Sequence, residues 1–242
     1  MISVLIDERM PDEGQRALML LGARVITLPP LNTLPEAIAS HPDTLIARIG
    51  KRLITSADYC DRAAYIFSDL REYHPMLSVT FASDVPGARY PDDARFNALV
   101  TGGRIFVNTK NISDAVIAQA DKEGLATVHV NQGYPACATL SPRDGVAITA
   151  DPGLARVLRQ NGIDVLEIKS GGIDLPPYEY GFIGGACCVI GDKVYFFGDP
   201  TTHPSGKEIT EFLADHGIGW RSLFGGRLID LGGATVIQDD AE

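Results

Sequence analysis

Thiols are the strongest nucleophiles this chain has to offer. It carries four cysteines, Cys60, Cys137, Cys187 and Cys188. A thiolate attacks electrophilic carbon near neutral pH once its pKa is lowered. Cys137, Cys187 and Cys188 each stand at the start of an extended apolar run, whereas Cys60 falls in a helical pattern and reads as packing. Cys187 and Cys188 are neighbours, so on a strand they point to opposite faces and at most one faces any shared channel. His129 is the candidate general acid or base. It lies two residues before Asn131 and Gln132, and strand alternation puts His129 and Asn131 on one face. The turn Gly133-Tyr134-Pro135 then separates His129 from Cys137 and is able to fold thiol and imidazole together. Glu179, Asp174, Asp7 and Asp230 are candidate carboxylates for holding a cation. Glu179 stands out because it sits in a loop after Leu175 and before the Gly184-Gly185 turn. The candidate set is therefore Cys137, Cys187, Cys188 and His129 for catalysis, and Glu179, Asn131, Gln132, Tyr134 and Asp230 for binding. Each has a plainer alternative: a free cysteine as a small core hydrophobe, a satisfied structural histidine, a solvated loop acid, and Asp7 as a helix cap. His203 precedes a helix start and reads as a rim residue; His41, His74 and His216 flank prolines or glycines and read as loop residues. There is no CxxC and no Cys/His spacing of the zinc type, so neither a metal nor a cofactor is expected.

The elements that position these groups recur along the chain. Residues 45–55, 99–109, 139–149 and 189–199 each contain two apolar runs separated by a tight turn. Gly50-Lys51, Gly102-Gly103, Asp144-Gly145 and Gly191-Asp192 supply the turn chemistry of a hairpin. Each second run ends in a residue suited to cap a helix: Ser56, Thr109, Asp151 and Asp199. Apolar faces with helical spacing follow, such as Tyr59, Ala63, Ile66 and Phe67, or Leu154, Val157 and Leu158. Gly124, Gly162 and Gly217 stop three of these helices, and a further strand follows each. The N-terminus supplies a fifth copy lacking its first strand, with Asp7 as its cap. The missing strand is found at the other end, in residues 234–237. The caps recur about every 42–53 residues, and a unit split between the termini closes a ring. Residues 85–96 form a long insert with Pro86, Gly87 and Pro91, expected as a surface loop. Residues 1–242 are thus expected to be one α/β domain of five strand–strand–helix–strand units. An open doubly wound sheet is the alternative, and the hairpin before every helix speaks against it.

Bulk properties narrow the partners. Hydrophobic residues make up 45% and charged residues 21% of the chain, an ordinary globular balance. A net charge of −10 opposes a nucleic-acid partner held by phosphate contacts, and an anionic membrane surface. No apolar run approaches the roughly 18 residues that span a bilayer. The expected setting is a cytoplasm with reduced thiols, and the expected partner is a small molecule, with cations favoured by the acidic charge. The paired glycines, such as Gly184-Gly185 and Gly232-Gly233, match no phosphate-loop pattern and suit crowded crossings near a ring centre.

Taken with the segments Asn131-Gln-Gly-Tyr-Pro-Ala-Cys137 and Tyr178-Glu-Tyr-Gly-Phe-Ile-Gly-Gly-Ala186, this repeat resembles the pentein superfamily, and within it an uncharacterised bacterial branch. The resemblance covers essentially the whole chain. It implies a five-bladed α/β propeller with pseudo-fivefold symmetry, closed by pairing of the N- and C-terminal strands. Penteins include guanidino-group-modifying enzymes, the arginine and agmatine deiminases, dimethylarginine hydrolases and amidinotransferases, and a non-enzymatic ribosome anti-association factor. In the enzymes a cysteine thiolate attacks the guanidinium carbon, a histidine moves protons and carboxylates hold the guanidinium. The resemblance assigns the nucleophile to Leu231-Gly-Gly-Ala-Thr235 and the histidine to Gly184-Gly-Ala-Cys-Cys188; neither segment holds the expected residue. Two functions follow. One is a hydrolase or transferase acting on a guanidino-type or other cationic small molecule through a displaced channel cysteine. The other is a non-catalytic scaffold that binds a small ligand or protein partner. A ribosome-binding role is disfavoured by the charge.

Overall fold

The structure is a computed structural model describing residues 1–238; residues 239–242, the end of the expected domain, lie outside it. The chain opens with β1 (Ile2–Asp7), α1 (Asp12–Leu20) and β2 (Ala23–Leu28). The short helix α2 (Pro42–Leu45) leads into β3 (Ala47–Ile49), β4 (Arg52–Ser56), α3 (Ala57–Tyr73) and β5 (Ser78–Ala82). A third unit holds β6 (Leu99–Thr101), β7 (Arg104–Val107), α4 (Asp114–Lys122) and β8 (Ala126–His129). The fourth holds β9 (Thr139–Arg143), β10 (Val146–Thr149), α5 (Pro152–Gln160) and β11 (Asp164–Glu167). After β12 (Ile173–Asp174) come β13 (Cys187–Ile190), β14 (Lys193–Phe196), α6 (Gly206–Asp215) and β15 (Gly219–Ser222). β16 (Leu228–Ile229) and β17 (Thr235–Gln238) complete the described chain.

Five three-stranded sheets share one plan. A hairpin strand pairs antiparallel with a central strand, and the strand after the helix pairs parallel on its other side: β3-β4-β5, β6-β7-β8, β9-β10-β11 and β13-β14-β15. Parallel pairing needs a crossover, which the helix provides. The fifth sheet is β17-β1-β2, in which Leu5 faces Thr235 and Ile2 faces Gln238. The two termini thus complete one unit, as the split repeat required. These sheets remain separate, with a two-stranded β12-β16 pair beside them, and no closed sheet runs through the described residues.

Alternation along the central strands explains the packing. On β1, Leu5 enters a cluster with Leu53 and α3, while Val4 and Ile6 enter a cluster with Tyr195 and Phe197. On β7, Ile105 and Val107 pack with Ile54, and Phe106 packs with Ala147. On β10, Ile148 packs with Val194 and Phe196. Both faces of every central strand are therefore apolar, with Leu5, Leu53, Phe106, Ile148 and Phe196 fully buried. Each such side chain contributes about 1.5–3 kcal/mol. Five clusters join the sheets pairwise in chain order, and the fifth joins the last sheet to the first.

The hairpin glycines behave as their turns demand: Gly50, Gly102, Gly145 and Gly191 all have positive φ. Capping departs from expectation in three places. Ser56 and Asp151 do cap α3 and α5, but α4 is capped by Ser113 rather than Thr109. Asp199 accepts from Thr201 N in a single short turn before α6. Asp7 caps nothing, because α1 starts at Asp12 with Pro11 at its cap position. A polar residue at a strand end is a weak signal when several residues of loop precede the helix.

Candidate functional site

Each hairpin strand is preceded by a short connecting segment, here called its turn, and the five are tied to one another. Asp43 N donates to Gly232 O at 3.3 Å, and Asn97 Nδ2 donates to Asp43 O at 3.2 Å. Ala136 N donates to Asn97 Oδ1 at 2.8 Å, Gly185 N to Cys137 O at 3.0 Å, and Gly233 N to Gly185 O at 2.9 Å. The backbones approach so closely that a Cβ on Gly184 would meet the carbonyl oxygens of Ala136, Thr139 and Cys137. Tight crossing is thus the role of these paired glycines, as the sequence suggested.

On one side of these turns lies a cavity of about 340 Å³. Its polar groups are His41, Thr44, Asp93, Cys137 and Asp230, and its aromatic wall is Tyr90, Tyr134, Tyr178, Tyr180 and Phe182. Tyr134 stands between Tyr90 and Phe182, with ring centroids 5.8 and 6.5 Å apart. No lysine or arginine lines this cavity among the described residues. Tyr90 and Asp93 belong to residues 85–96, so the expected surface loop supplies part of the wall; Phe96 at its end is buried.

Cys137 is the centre of the polar group. Its thiol donates to Asp230, with Sγ 3.6 Å from Oδ1 and 3.5 Å from Oδ2. Asp230 is 1% exposed, and its carboxylate also accepts from Phe182 N at 2.8 Å and Gly232 N at 2.9 Å. His41 Nδ1 lies 3.9 Å from Asp230 Oδ1, and its Nε2 lies 3.8 Å from Asp7 Oδ2. Asp7 itself is held in two hydrogen bonds by the Arg9 guanidinium, at 2.9 and 2.7 Å. Asp43 reaches Cys137 from the other side of the turns, where it lines a second cavity of about 380 Å³ with Cys187 and Cys188.

Burial and charge set the protonation of this group. Burial pushes the Cys137 thiol well above its ordinary value, and the charges of Asp230 and Asp43 push it further the same way. Burial likewise pushes the Asp43 carboxyl up to about 8, with Asp230 adding to the effect. The His41 imidazole is lowered, first by burial, against the opposing pull of Asp230 and Asp7. The resting state near neutral pH is therefore a protonated thiol, a largely protonated Asp43 and a neutral imidazole.

The structure brings together Cys137, Tyr134 and Asp230 from the sequence-derived set, and separates the rest. His129 is exposed, as are Asn131 and Glu179. The His129 ring contacts Thr109 Oγ1 at 2.8 Å and Asn131 Oδ1 at 3.3 Å, so the shared face holds. His129, Asn131 and Gln132 line another cavity, away from the thiol, which corrects the pairing of His129 with Cys137. Gln132 braces the turn, donating to Asp151 Oδ2 and accepting from Tyr134 N. Cys187 and Cys188 pack into two different core clusters, on opposite faces as alternation required. Cys187 donates to Ile183 O at 3.3 Å, and burial pushes the Cys188 thiol up to about 12. Neither meets a histidine among the described residues. Glu179 stays outside the cavity, while Tyr178 and Tyr180 beside it turn inward. His41, Asp43 and Asp93 were missed. The signal for His41 and Asp43 was the repeat itself: they precede β3 as Ala136 and Cys137 precede β9.

A model of one family, described as a family of unknown function (DUF6873), matches residues 5–235. No curated protein matches the sequence. Solved structures do match in fold. A cysteine-to-serine mutant of DDAH from Pseudomonas aeruginosa, complexed with citrulline, superposes with a TM-score of 0.60 at 11% identity, covering 96% of this chain and 95% of that one. The inosamine-phosphate amidinotransferase of Streptomyces griseus gives 0.54 at 13%, covering 93% and 79%. The N-terminal domain of a cyanobacterial arginine dihydrolase, bound to product, gives 0.55 at 12%, covering 96% and 94%. These matches show the fold, which is that of the pentein superfamily.

Proposed function

We propose that this chain, which belongs to the DUF6873 family of unknown function, binds a small guanidino- or amidino-type cation and acts on its central carbon through Cys137. The observation that carries this reading is the Cys137–Asp230–His41 group at the base of an aromatic-walled cavity without a lining cation. Carboxylates match the guanidinium fork, and aromatic faces attract a desolvated cation. The solved structures of similar fold include an arginine dihydrolase and amidinotransferases. The same feature narrows the substrate. With no lysine or arginine on the wall, a substrate carboxylate finds no counter-charge, so the preferred substrate lacks one.

The residues suggest the following sequence of events. The bound cation offsets the charge of Asp230 and so eases loss of the thiol proton. His41, neutral at rest, takes that proton. The Cys137 thiolate forms a C–S bond at the substrate carbon, and the leaving amine departs with the proton from His41. Water, or an acceptor amine, deprotonated by His41, then breaks the C–S bond and regenerates the thiol. The architecture that supports the site is, in our reading, a single domain of five blades about one axis. The cyclic succession of core clusters and the hydrogen-bonded turns support that arrangement.

One observation favours binding without turnover: burial first, and then the neighbouring Asp230 carboxylate, hold the thiol protonated at rest. The test separates the two readings. The full chain is incubated with guanidino and amidino compounds with and without a carboxylate, and both product release and Cys137 adducts are followed by mass spectrometry. Turnover or a Cys137 adduct with carboxylate-free cations, abolished in Cys137→Ser, is the expected result. Binding of such cations with neither adduct nor product leaves a scaffold, and no binding of any of them sinks the proposal.

A further inference from the structure

The same three side chains offer a different kind of ligand set. We infer that His41, Cys137 and Asp230 form a binding site for one divalent metal ion of the zinc class. The inference does not rest on the guanidino reading, since it needs only the donor atoms and their positions. One donor atom from each residue lies within 4.8 Å of the other two, and all three residues are buried.

The two separations from the carboxylate oxygen approach those an ion needs. With a metal–sulfur bond of about 2.3 Å and metal–oxygen or metal–nitrogen bonds of about 2.0 Å, a tetrahedral site separates S from O by about 3.5 Å and N from O by about 3.3 Å. Here Asp230 Oδ1 stands 3.6 Å from Cys137 Sγ and 3.9 Å from His41 Nδ1. Bringing Nδ1 to the required spacing from the oxygen takes a shift of about 0.6 Å by the imidazole, and the imidazole and thiol donors already lie within 4.8 Å of each other. The surrounding groups are arranged to hold the ligands. Asp230 is fixed by two backbone N–H donors. His41 Nε2 makes no hydrogen bond and faces Asp7 Oδ2 at 3.8 Å, with Asp7 anchored by Arg9. A proton on Nε2 directed at that carboxylate leaves the Nδ1 lone pair for the metal, a common arrangement around ligating histidines.

Charge also balances. A thiolate, a carboxylate and a neutral imidazole carry two negative charges against the ion's two positive ones. On binding, the metal–sulfur bond forms and the Cys137 proton leaves to solvent. The open cavity leaves the fourth position to water. The sequence hid this site because its ligands come from three distant turns, with no short Cys/His spacing. A metal bound here occupies the thiol, so it excludes the cation chemistry proposed above.

The test uses the reduced, metal-free full chain titrated with Co²⁺ and then Zn²⁺. Expected are one equivalent bound, a thiolate-to-cobalt charge-transfer band, release of one proton per ion in weak buffer, and displacement of Co²⁺ by Zn²⁺. Cys137→Ser loses the band. His41→Gln weakens binding on the order of tenfold or more while keeping it. Cys187→Ala and Cys188→Ala leave both unchanged. Should a variant fail to fold, Zn²⁺ protection of Cys137 from alkylation in the wild-type chain, mapped by peptide mass, gives the same answer. Overturning results are no Co²⁺ binding by the folded protein, a band that survives in Cys137→Ser, or no protection of Cys137. Failure of the guanidino assay leaves these metal readouts intact, and loss of metal binding leaves that assay intact.

Discussion

Replacing Asp230 by asparagine should make Cys137 more reactive, although it removes the residue that touches the thiol. The carboxylate lies 3.5–3.6 Å from Sγ in a buried site. Two like charges at that separation repel by about 5 kcal/mol at an effective dielectric of about 20. Only the thiolate feels this repulsion, because the thiol is neutral. The carboxylate also accepts the S–H, which further favours the protonated form. The repulsion vanishes with the charge, and the hydrogen bond to a neutral amide oxygen is weaker. Relaxation of neighbours reduces the benefit, but a quarter of it surviving still raises the thiolate fraction by about tenfold. The assay is the rate of iodoacetamide labelling at pH 7–8, with Cys137 resolved by peptide mapping and Cys137→Ser as the blank. Far-UV circular dichroism checks that the asparagine variant stays folded, since Phe182 N and Gly232 N each still need an acceptor. Labelling of Cys137 at least about tenfold faster than wild type is expected. An unchanged or slower rate in a folded variant refutes the electrostatic account of the site.

Asp43→Asn tests the second buried carboxyl. Its folded pKa of about 8 exceeds the ordinary 3.8, so the folded state holds a proton that the unfolded state releases. Stability from this group is complete below about pH 4 and declines up to about pH 8. The variant should match wild type near pH 4 and exceed it by on the order of 3 kcal/mol at pH 8, read by urea denaturation; a gap that does not widen with pH contradicts the assignment. Gly184→Ala drives a methyl into backbone, with Cys137 O only 2.7 Å away. It should cost on the order of 3 kcal/mol or more, and a variant melting within a degree or two of wild type argues against the close crossing. Ile237 on β17 is 3% exposed within the cluster around Leu5 and Leu53. Ile237→Ala should lose about 2–4 kcal/mol in the same denaturation assay, and a loss below about 0.5 kcal/mol would mean that the terminal strand is not docked.

Local patterns in the chain were enough to fix its units. Alternating apolar residues, glycine turns and helix-stopping glycines act over a few residues, so β3-β4, β6-β7, β9-β10 and β13-β14 could be read directly. The splitting of one unit between Ala234 and Ile6 was legible too, because a repeat period counts residues and ignores where the chain is cut. Cap assignments failed at Asp7, Thr109 and Asp199, where intervening loop residues set the real helix start. The site itself was a matter of tertiary structure. Cys137, Asp230 and His41 lie on three turns far apart in sequence, and no spacing rule joins them. His129 was close to Cys137 along the chain, yet the strand carrying it ends elsewhere. What decided the site was the docking of successive sheets through both faces of their central strands, which crowds five turns together and buries whatever polar residues they carry.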